Sequence, residues 1–188
     1  MAEFYIQKER KVQIHKIIIL SILVIASIFL AIPDSNKEAT VSKVDFSGIR
    51  GNFVKRYALI SMKEGKAYQI PPSIILAVGL YNSEGYDNSR HNNLFRLKPD
   101  TNWDGKVISF KDDNGQYTLK KYDSVWEGFR DFSVTVDKAL EANKINKKEL
   151  TLYGWAKTLE DAGMCNADST MSIIYSMNLN RFDTLTVK

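Results

Sequence analysis

Cysteine and histidine are scarce in this chain of 188 residues, which has one cysteine, Cys165, and two histidines, His15 and His91. A single cysteine cannot form a disulfide within the chain, and the paired cysteines and histidines that bind zinc in proteins are missing. We therefore expect no zinc site built by the protein. No pattern in the sequence indicates another metal or a cofactor.

The chain also has little excess of charge of one sign. Its 26 Lys and Arg and 22 Asp and Glu give a net charge of +4. Residues 1–16 carry four basic and two acidic residues and account for half of this excess. A nucleic-acid-binding protein of this size usually has a denser basic stripe, so nucleic acid is not an expected partner. With 44% hydrophobic residues, the chain can bury a real core.

A run of apolar residues occupies positions 17–32, interrupted only by Ser21 and Ser27. It is short for a bilayer span, which needs roughly 20 residues, but Lys16 can extend it by placing its charge at the interface. Basic residues precede the run, and the positive-inside rule then places the N-terminus in the cytoplasm. The expected organisation is a cytoplasmic segment 1–16, a transmembrane helix 17–33, a linker 34–45 and an exported domain 46–188. The protein would cross the inner (cytoplasmic) membrane once.

A cleaved signal peptide is the main alternative for this segment, because it also has a basic start and an apolar middle. No good cleavage site is present, since bulky Phe29 lies two residues before Ala31. A buried core helix is a further alternative. The first two interpretations both export the rest of the chain.

The exported part has the pattern of a mostly helical α+β domain. The spacing of apolar residues predicts a helix over 49–68, and a second helix from Ser73 to about Asn82 is apolar nearly all round, which is typical of a central helix. Two strand-like segments, 103–110 and 117–122, flank a turn sequence that predicts a hairpin. The capping box of Ser124 and Glu127 begins a third helix. Further helices are expected over about 148–161 and 169–181.

Five segments carry motifs in a fixed order: Ile75-Leu76-Ala77, NNLFRLK at 92–98, Trp103-Asp104-Gly105, KYDSVWEGFRDFS at 121–133, and GWAKTLEDAG at 154–163. Together they resemble glycoside hydrolase family 73, the lysozyme-like glucosaminidases, over about residues 48–183. The resemblance implies a lysozyme-like fold with a small β-hairpin lobe. It also implies an endo-β-N-acetylglucosaminidase acting on peptidoglycan glycan strands, with a carboxylic acid that protonates the leaving oxygen.

The chain departs from the family pattern where the chemistry is expected. A gapless alignment of the family's AQAxLESG motif with residues 77–84 places the catalytic glutamate on Asn82, and an amide has no titratable proton to donate. Arg96 replaces a family glycine near the expected groove, and Met164 replaces an aromatic residue. Whether the chain is an enzyme is therefore left open by the sequence.

Four carboxylates remain as candidate catalytic groups. Glu84 is a possible displaced acid, with a solvated loop carboxylate as the alternative. Asp104, Asp112 and Asp113 belong to the hairpin lobe, where the family often has a second carboxylate, although Asp also favours turns regardless of catalysis.

Aromatic and polar side chains near these carboxylates are candidates for binding sugar. Aromatic rings stack on pyranose faces, and core packing is the alternative role for each of them. Asn82 and Arg96 are candidate polar contacts. The full set of predicted substrate-binding residues is Asn82, Phe95, Arg96, Trp103 and Tyr122.

Three functions fit these observations. The favoured one is a membrane-anchored pseudo-enzyme that binds peptidoglycan glycan strands or docks in the cell envelope. The second is an active hydrolase that uses Glu84 or a lobe carboxylate as its acid. The third is a protein-interaction domain of an envelope-spanning machine, with other envelope proteins as partners. Fold alone does not decide among them.

Overall fold

The computed structural model describes residues 48–84, 91–112 and 115–185, and within them the chain is mostly helical with one small antiparallel sheet. The predicted segments 1–16, 17–33 and 34–45 lie outside these ranges. Inside them, none of the helices has both the length and the apolarity needed to cross a bilayer. The elements are α1 Gly48–Tyr68, α2 Pro72–Ser83, β1 Val107–Asp112, β2 Gly115–Lys120, α3 Val125–Ala142, α4 Leu152–Asp161 and α5 Ala167–Ser176, with 3-10 helices at Lys147–Glu149 and Leu179–Asp183.

Helix α2 is the centre of the domain, as its apolar sequence predicts. All eight residues from Ser73 to Leu80 are buried. The helix packs against α1, α5 and the last 3-10 helix. Its first turn is closed by Asp183, whose carboxylate accepts hydrogen bonds from Ser73 N at 2.8 Å and Ser73 Oγ at 2.7 Å. Because residues 73–80 of α2 are covered on all sides, the packing of this segment fixes where the C-terminal end of the helix reaches the surface.

Three phenylalanine rings form the aromatic part of the core. Phe95 stacks on Phe132 with ring centroids 4.0 Å apart and meets the edge of Phe129 at 4.9 Å. Phe95 is only 4% exposed. Its expected role in sugar stacking is therefore replaced by core packing, since no face of the ring is accessible to a ligand.

The hairpin pairs Val107 with Lys120 at its base and Asp112 with Gly115 at its tip. Strand β1 thus begins four residues later than the sequence pattern predicts. The reason lies at Trp103, whose backbone N–H donates to Asp100 O at 3.1 Å and closes a turn before the strand.

Two helix boundaries also differ from the prediction. Helix α4 begins at Leu152 rather than near Lys148, because Thr151 Oγ1 caps it by accepting from Gly154 N at 3.0 Å. The last predicted helix is divided, since Asn178 has a left-handed backbone (φ 50°) between α5 and the final 3-10 helix. Helix α3 begins as predicted, with Ser124 Oγ accepting from Glu127 N at 3.3 Å.

Candidate functional site

The C-terminal end of α2 carries the first candidate residue, Asn82. Its side-chain amide donates to Val78 O at 3.0 Å and to Met164 O at 2.9 Å. Met164 follows α4, so this amide joins the end of the central helix to a distant loop. A carboxylate at this position would face two carbonyl oxygens, and only its protonated form could donate to one of them. The surroundings of residue 82 therefore favour a neutral donor.

Ser83 fixes the same helix end to the NNLF segment. Its Oγ lies 2.6 Å from Gly79 O and 3.2 Å from Leu94 O. The hydroxyl has one proton, which these two carbonyl oxygens share. The end of α2 is thus held from two sides, by hydrogen bonds of Asn82 and Ser83 to the backbone carbonyl oxygens of Met164 and Leu94.

Glu84, the candidate displaced acid, lies just past the end of α2 and forms a bidentate ion pair with Arg50. Arg50 Nη2 donates to Glu84 Oε2 at 2.9 Å, and Arg50 Nε donates to Oε1. The Glu84 side chain is 39% exposed. Both carboxylate oxygens accept hydrogen bonds from Arg50 in this arrangement, so its geometry is that of an acceptor rather than of a proton donor. The pair also raises the pKa of Arg50.

The lobe carboxylates lie in and beside the hairpin. Asp104 is exposed in the bend before β1, and Asp112 ends that strand. Asp113 lies outside the described residues. Among the hydrogen bonds and ion pairs of the described residues, those of the Glu84 side chain are with Arg50, and none joins it to Asp104.

Tyr122 belongs to a polar cluster under the hairpin and not to an open groove. The ring is 4% exposed, and its hydroxyl donates to Asp131 Oδ2 at 2.6 Å. Burial and the bond to Asp131 raise the pKa of Tyr122. Lys120 Nζ donates to the same Asp131 oxygen at 2.9 Å and to Asp100 Oδ2 at 3.3 Å. The predicted stacking of Tyr122 on a sugar is therefore replaced by a structural role.

Trp103 is half-buried and covers this cluster from the outside. Its ring centroid lies 4.5 Å from Lys120 Nζ, and its Nε1 donates to Lys106 O at 3.2 Å. A Cβ added at Gly105 would come within 2.5 Å of the Trp103 ring. The Trp-Asp-Gly motif is thus explained by close packing at the hairpin base, which leaves only part of the ring for a ligand.

Arg96 has a left-handed backbone, with φ at 54°. The family glycine at this place is explained by that conformation, which costs a residue with a side chain about 1 kcal/mol. The guanidinium carbon of Arg96 lies 5.1 Å from the centroid of Tyr117, on the hairpin. Arg96 therefore sits between the NNLF segment and the lobe.

Asn93 joins that segment to the hairpin. It is fully buried, its amide donates to Leu97 O and Lys120 O at 2.9 Å each, and its carbonyl accepts from Leu97 N at 2.9 Å. Neighbouring Asn92 donates to Tyr122 O at 3.0 Å. The two asparagines of the motif therefore set the position of the lobe.

Sequence reasoning missed Arg50 and the carbonyl of Met164 as site contacts. Arg50 is 34 residues from Glu84, and Met164 is 82 residues from Asn82. No local pattern marks either contact. In the three described stretches, no group of three or more His, Cys, Asp or Glu side chains is placed to hold a metal ion.

A family model described as glucosaminidase, mannosyl-glycoprotein endo-beta-N-acetylglucosaminidase, matches residues 58–179. The chain belongs to the glucosaminidase family. The matched region contains Asn82, Glu84 and the hairpin, whereas Arg50 precedes it. The partner that holds Glu84 thus comes from outside the part of the chain that the family model describes.

Solved structures of similar fold each cover between 70% and 77% of this chain. The catalytic domain of the autolysin Auto from Listeria monocytogenes is 20% identical, with a TM-score of 0.57 over 77% of this chain and 92% of that chain. The glycoside hydrolase domain of FlgJ from Salmonella typhimurium is 20% identical, with a TM-score of 0.54 over 70% and 89%. A peptidoglycan hydrolase from a Sphingomonas species is 19% identical, with a TM-score of 0.56 over 73% and 97%. No curated protein matches the chain.

Proposed function

We propose that this glucosaminidase-family protein binds peptidoglycan glycan strands in the cell envelope without cleaving them, as a degenerate enzyme anchored in the membrane by residues 17–33. The observation that carries the proposal is the state of Asn82. It occupies the place of the catalytic glutamate in the gapless alignment. Its side-chain nitrogen donates hydrogen bonds to Val78 O and Met164 O. An amide held in this way offers no proton to a glycosidic oxygen.

The bidentate pair of Glu84 and Arg50 supports the same proposal. A general acid must be protonated near neutral pH, and enzymes achieve this by burial or by a neighbouring negative charge. Glu84 has the opposite surroundings, an exposed position and a bound cation. It is therefore suited to accept hydrogen bonds, including those of sugar hydroxyls, rather than to donate a proton.

An active hydrolase is the second candidate, and the position of Glu84 favours it. The residue follows directly on the end of α2, two residues from Asn82, and substrate binding could displace Arg50 from it. In this case, removal of Arg50 would free both carboxylate oxygens of Glu84 from their ion pair and change the rate of cleavage.

The test is a digest of purified peptidoglycan by the full-length chain in detergent, with released fragments measured by mass spectrometry. Binding to insoluble sacculi is measured in parallel by co-sedimentation. The variants are Asn82→Glu, Asn82→Gln and Glu84→Gln. Gln has the size of Glu but keeps the amide, so Asn82→Gln controls for the longer side chain.

We expect the wild-type chain to bind sacculi and release no fragments. Fragments from Asn82→Glu but not from Asn82→Gln would show that only the acid is missing. Fragments from the wild type that disappear in Glu84→Gln would instead establish the active hydrolase and refute our proposal. Absence of both binding and fragments would leave a protein-interaction domain as the remaining function.

A further inference from the structure

One exposed face of α1 is strongly basic. Positions 52, 55, 56, 59, 63 and 66 all lie on the surface. At 100° per residue they fall within about 100° of the helix circumference. We call this face the α1 stripe; its members are Asn52, Lys55, Arg56, Leu59, Lys63 and Lys66. Leu59, at its centre, is 57% exposed.

The charge of α1 is unlike that of the rest of the chain. Between Gly48 and Tyr68 there are five basic residues and one acidic residue, a net +4. The whole chain also has a net charge of +4, from 26 basic and 22 acidic residues, so the other positions sum to zero, 21 against 21. The acidic residue of α1 is Glu64, which is 1% exposed and bound to Arg130. The stripe therefore contains no carboxylate of its own.

The stripe and the candidate site lie on opposite sides of α1. Arg50, which holds Glu84, is roughly 170° around the helix from the middle of the stripe. The buried residues Val54, Ser61 and Glu64 also lie on the far side and face the domain. If the stripe lay against a flat surface, the rest of the domain and the end of α2 would therefore be on the side of α1 that faces away from that surface.

The length of chain before α1 places this face near the proposed membrane. Residues 34–47 separate the predicted transmembrane helix from the start of α1. Fourteen residues span at most about 50 Å when fully extended, so α1 can reach the bilayer surface without strain. This step rests on the proposed membrane anchoring by residues 17–33.

We propose that the α1 stripe binds the anionic phospholipid headgroups of the membrane that anchors the chain. The ammonium and guanidinium groups would contact lipid phosphates, and Leu59 would enter the boundary with the acyl chains, as in interfacial helices. Basic segments close to a membrane span are attracted to anionic lipid in this way. The domain is then held with its candidate site directed toward the cell wall.

The test uses the full-length chain reconstituted in lipid vesicles. A spin label is attached through Asn52→Cys in a Cys165→Ser background, which keeps the cations and Leu59 intact. Its relaxation by a nickel-chelating lipid reports distance from the headgroups. Vesicles of phosphatidylcholine are compared with vesicles that also contain about 30% phosphatidylglycerol, a proportion that gives a negative surface potential.

Two sets of substitutions remove the same charge from different faces. The stripe variant is Lys55→Gln, Arg56→Gln, Lys63→Gln and Lys66→Gln. The matched control is Lys98→Gln, Lys111→Gln, Lys121→Gln and Lys138→Gln, four exposed lysines outside α1. Gln and Lys have nearly equal helix propensity, so α1 should remain folded, and circular dichroism of both sets checks this.

We expect relaxation of the label to rise on the order of tenfold with phosphatidylglycerol, to fall back in the stripe variant and to persist in the control. A chain that floats with both vesicle types but shows no such rise would refute the stripe and keep the anchor. A chain that floats with neither vesicle type would refute both the lipid-binding stripe and the membrane anchor. The proposed binding to peptidoglycan would still be tested separately by co-sedimentation with sacculi. The proposal would be overturned if the relaxation of the label did not change with lipid composition but poly(glycerol phosphate) immobilised the label. The stripe would then bind a soluble anionic polymer.

Discussion

Two arginine–glutamate pairs have the same bidentate geometry, but the glutamate is buried in the domain in one pair and exposed at the rim of the candidate site in the other. Glu64 accepts from Arg130 at 2.8 and 3.0 Å and is 1% exposed. Glu84 accepts from Arg50 with its side chain 39% exposed. The guanidinium of Arg130 also lies between the rings of Tyr68 and Trp126, at 5.4 and 4.8 Å.

Burial decides what each pair does. A buried carboxylate that loses its partner cannot regain water, so the pair is part of the fold. An exposed pair contributes little to stability, because water solvates both groups when they separate. The pair at the site can therefore exchange its partner for a ligand, whereas the inner pair cannot. The effects of four substitutions should follow this difference in burial.

The largest effect is expected from Arg130→Ala, which leaves Glu64 buried without its partner. The free energy of unfolding should fall by about 3 kcal/mol, measured by urea denaturation. Lys63→Ala, at an exposed position of α1, is the control. A loss below about 1 kcal/mol for Arg130→Ala would show that water reaches Glu64 and that the two pairs are alike.

Asn93→Leu should cost about 2–3 kcal/mol, because it breaks three buried hydrogen bonds of a side chain with no access to water. The loss should appear first in the hairpin, as faster hydrogen exchange of the amides of β1 and β2. Asn102→Leu, at an exposed position, is the matched control. Equal exchange in both variants would mean that the lobe is held by other contacts.

Tyr122→Phe should cost about 1 kcal/mol at neutral pH through loss of the bond to Asp131. Its effect should reverse sign in alkali. Burial and Asp131 raise the pKa of folded Tyr122 above the ordinary value of 10.0, so the stability of the wild type is complete below pH 10 and decreases as the pH rises above it. The slope from this residue is about 1 kcal/mol per pH unit.

In Tyr122→Phe this alkaline decrease should be smaller than in the wild type, as measured by urea denaturation at several pH values between pH 9 and 12. Tyr153→Phe is the control, since Tyr153 is 52% exposed. Parallel pH profiles for wild type and Tyr122→Phe would show that the hydroxyl is accessible to hydroxide in the folded state.

The smallest effect on stability is expected from Arg50→Ala, below about 1 kcal/mol, because both members of its pair are exposed. The same variant also distinguishes a glycan-binding role of Glu84 from a catalytic one. If Glu84 only accepts hydrogen bonds, sacculus binding changes and no fragments are released. Release of fragments by Arg50→Ala would show that the ion pair had kept Glu84 from acting on the substrate.

The elements were predictable wherever a local signal decides them. The apolar sequence of α2, the cap at Ser124 and the turn residues of the hairpin each predict the structure found. The start of α4 was not predicted, because Lys147 and Lys148 are good helix formers and the cap at Thr151 outweighs them. The family resemblance at Asn92–Lys98 and Trp103–Gly105 was confirmed by the match of the family model.

The candidate site was less predictable, because its contacts join residues far apart in the chain. Phe95 and Tyr122 were given possible sugar-binding roles from residue type alone, and burial excludes such roles. The pair of Glu84 with Arg50 depends on how α1 lies beside the end of α2. No spacing within either segment carries that information.

The burial of residues 73–80 of α2 has a consequence for the sequence of events during folding. Its covering comes partly from α5 and from the 3-10 helix that contains Asp183, 110 residues after Ser73. During synthesis, a chain that has not yet reached this region leaves the apolar side of α2 that these elements cover exposed to water. Early docking of α1 alone leaves part of α2 open, so the growing chain is most prone to aggregate just before its last helices emerge.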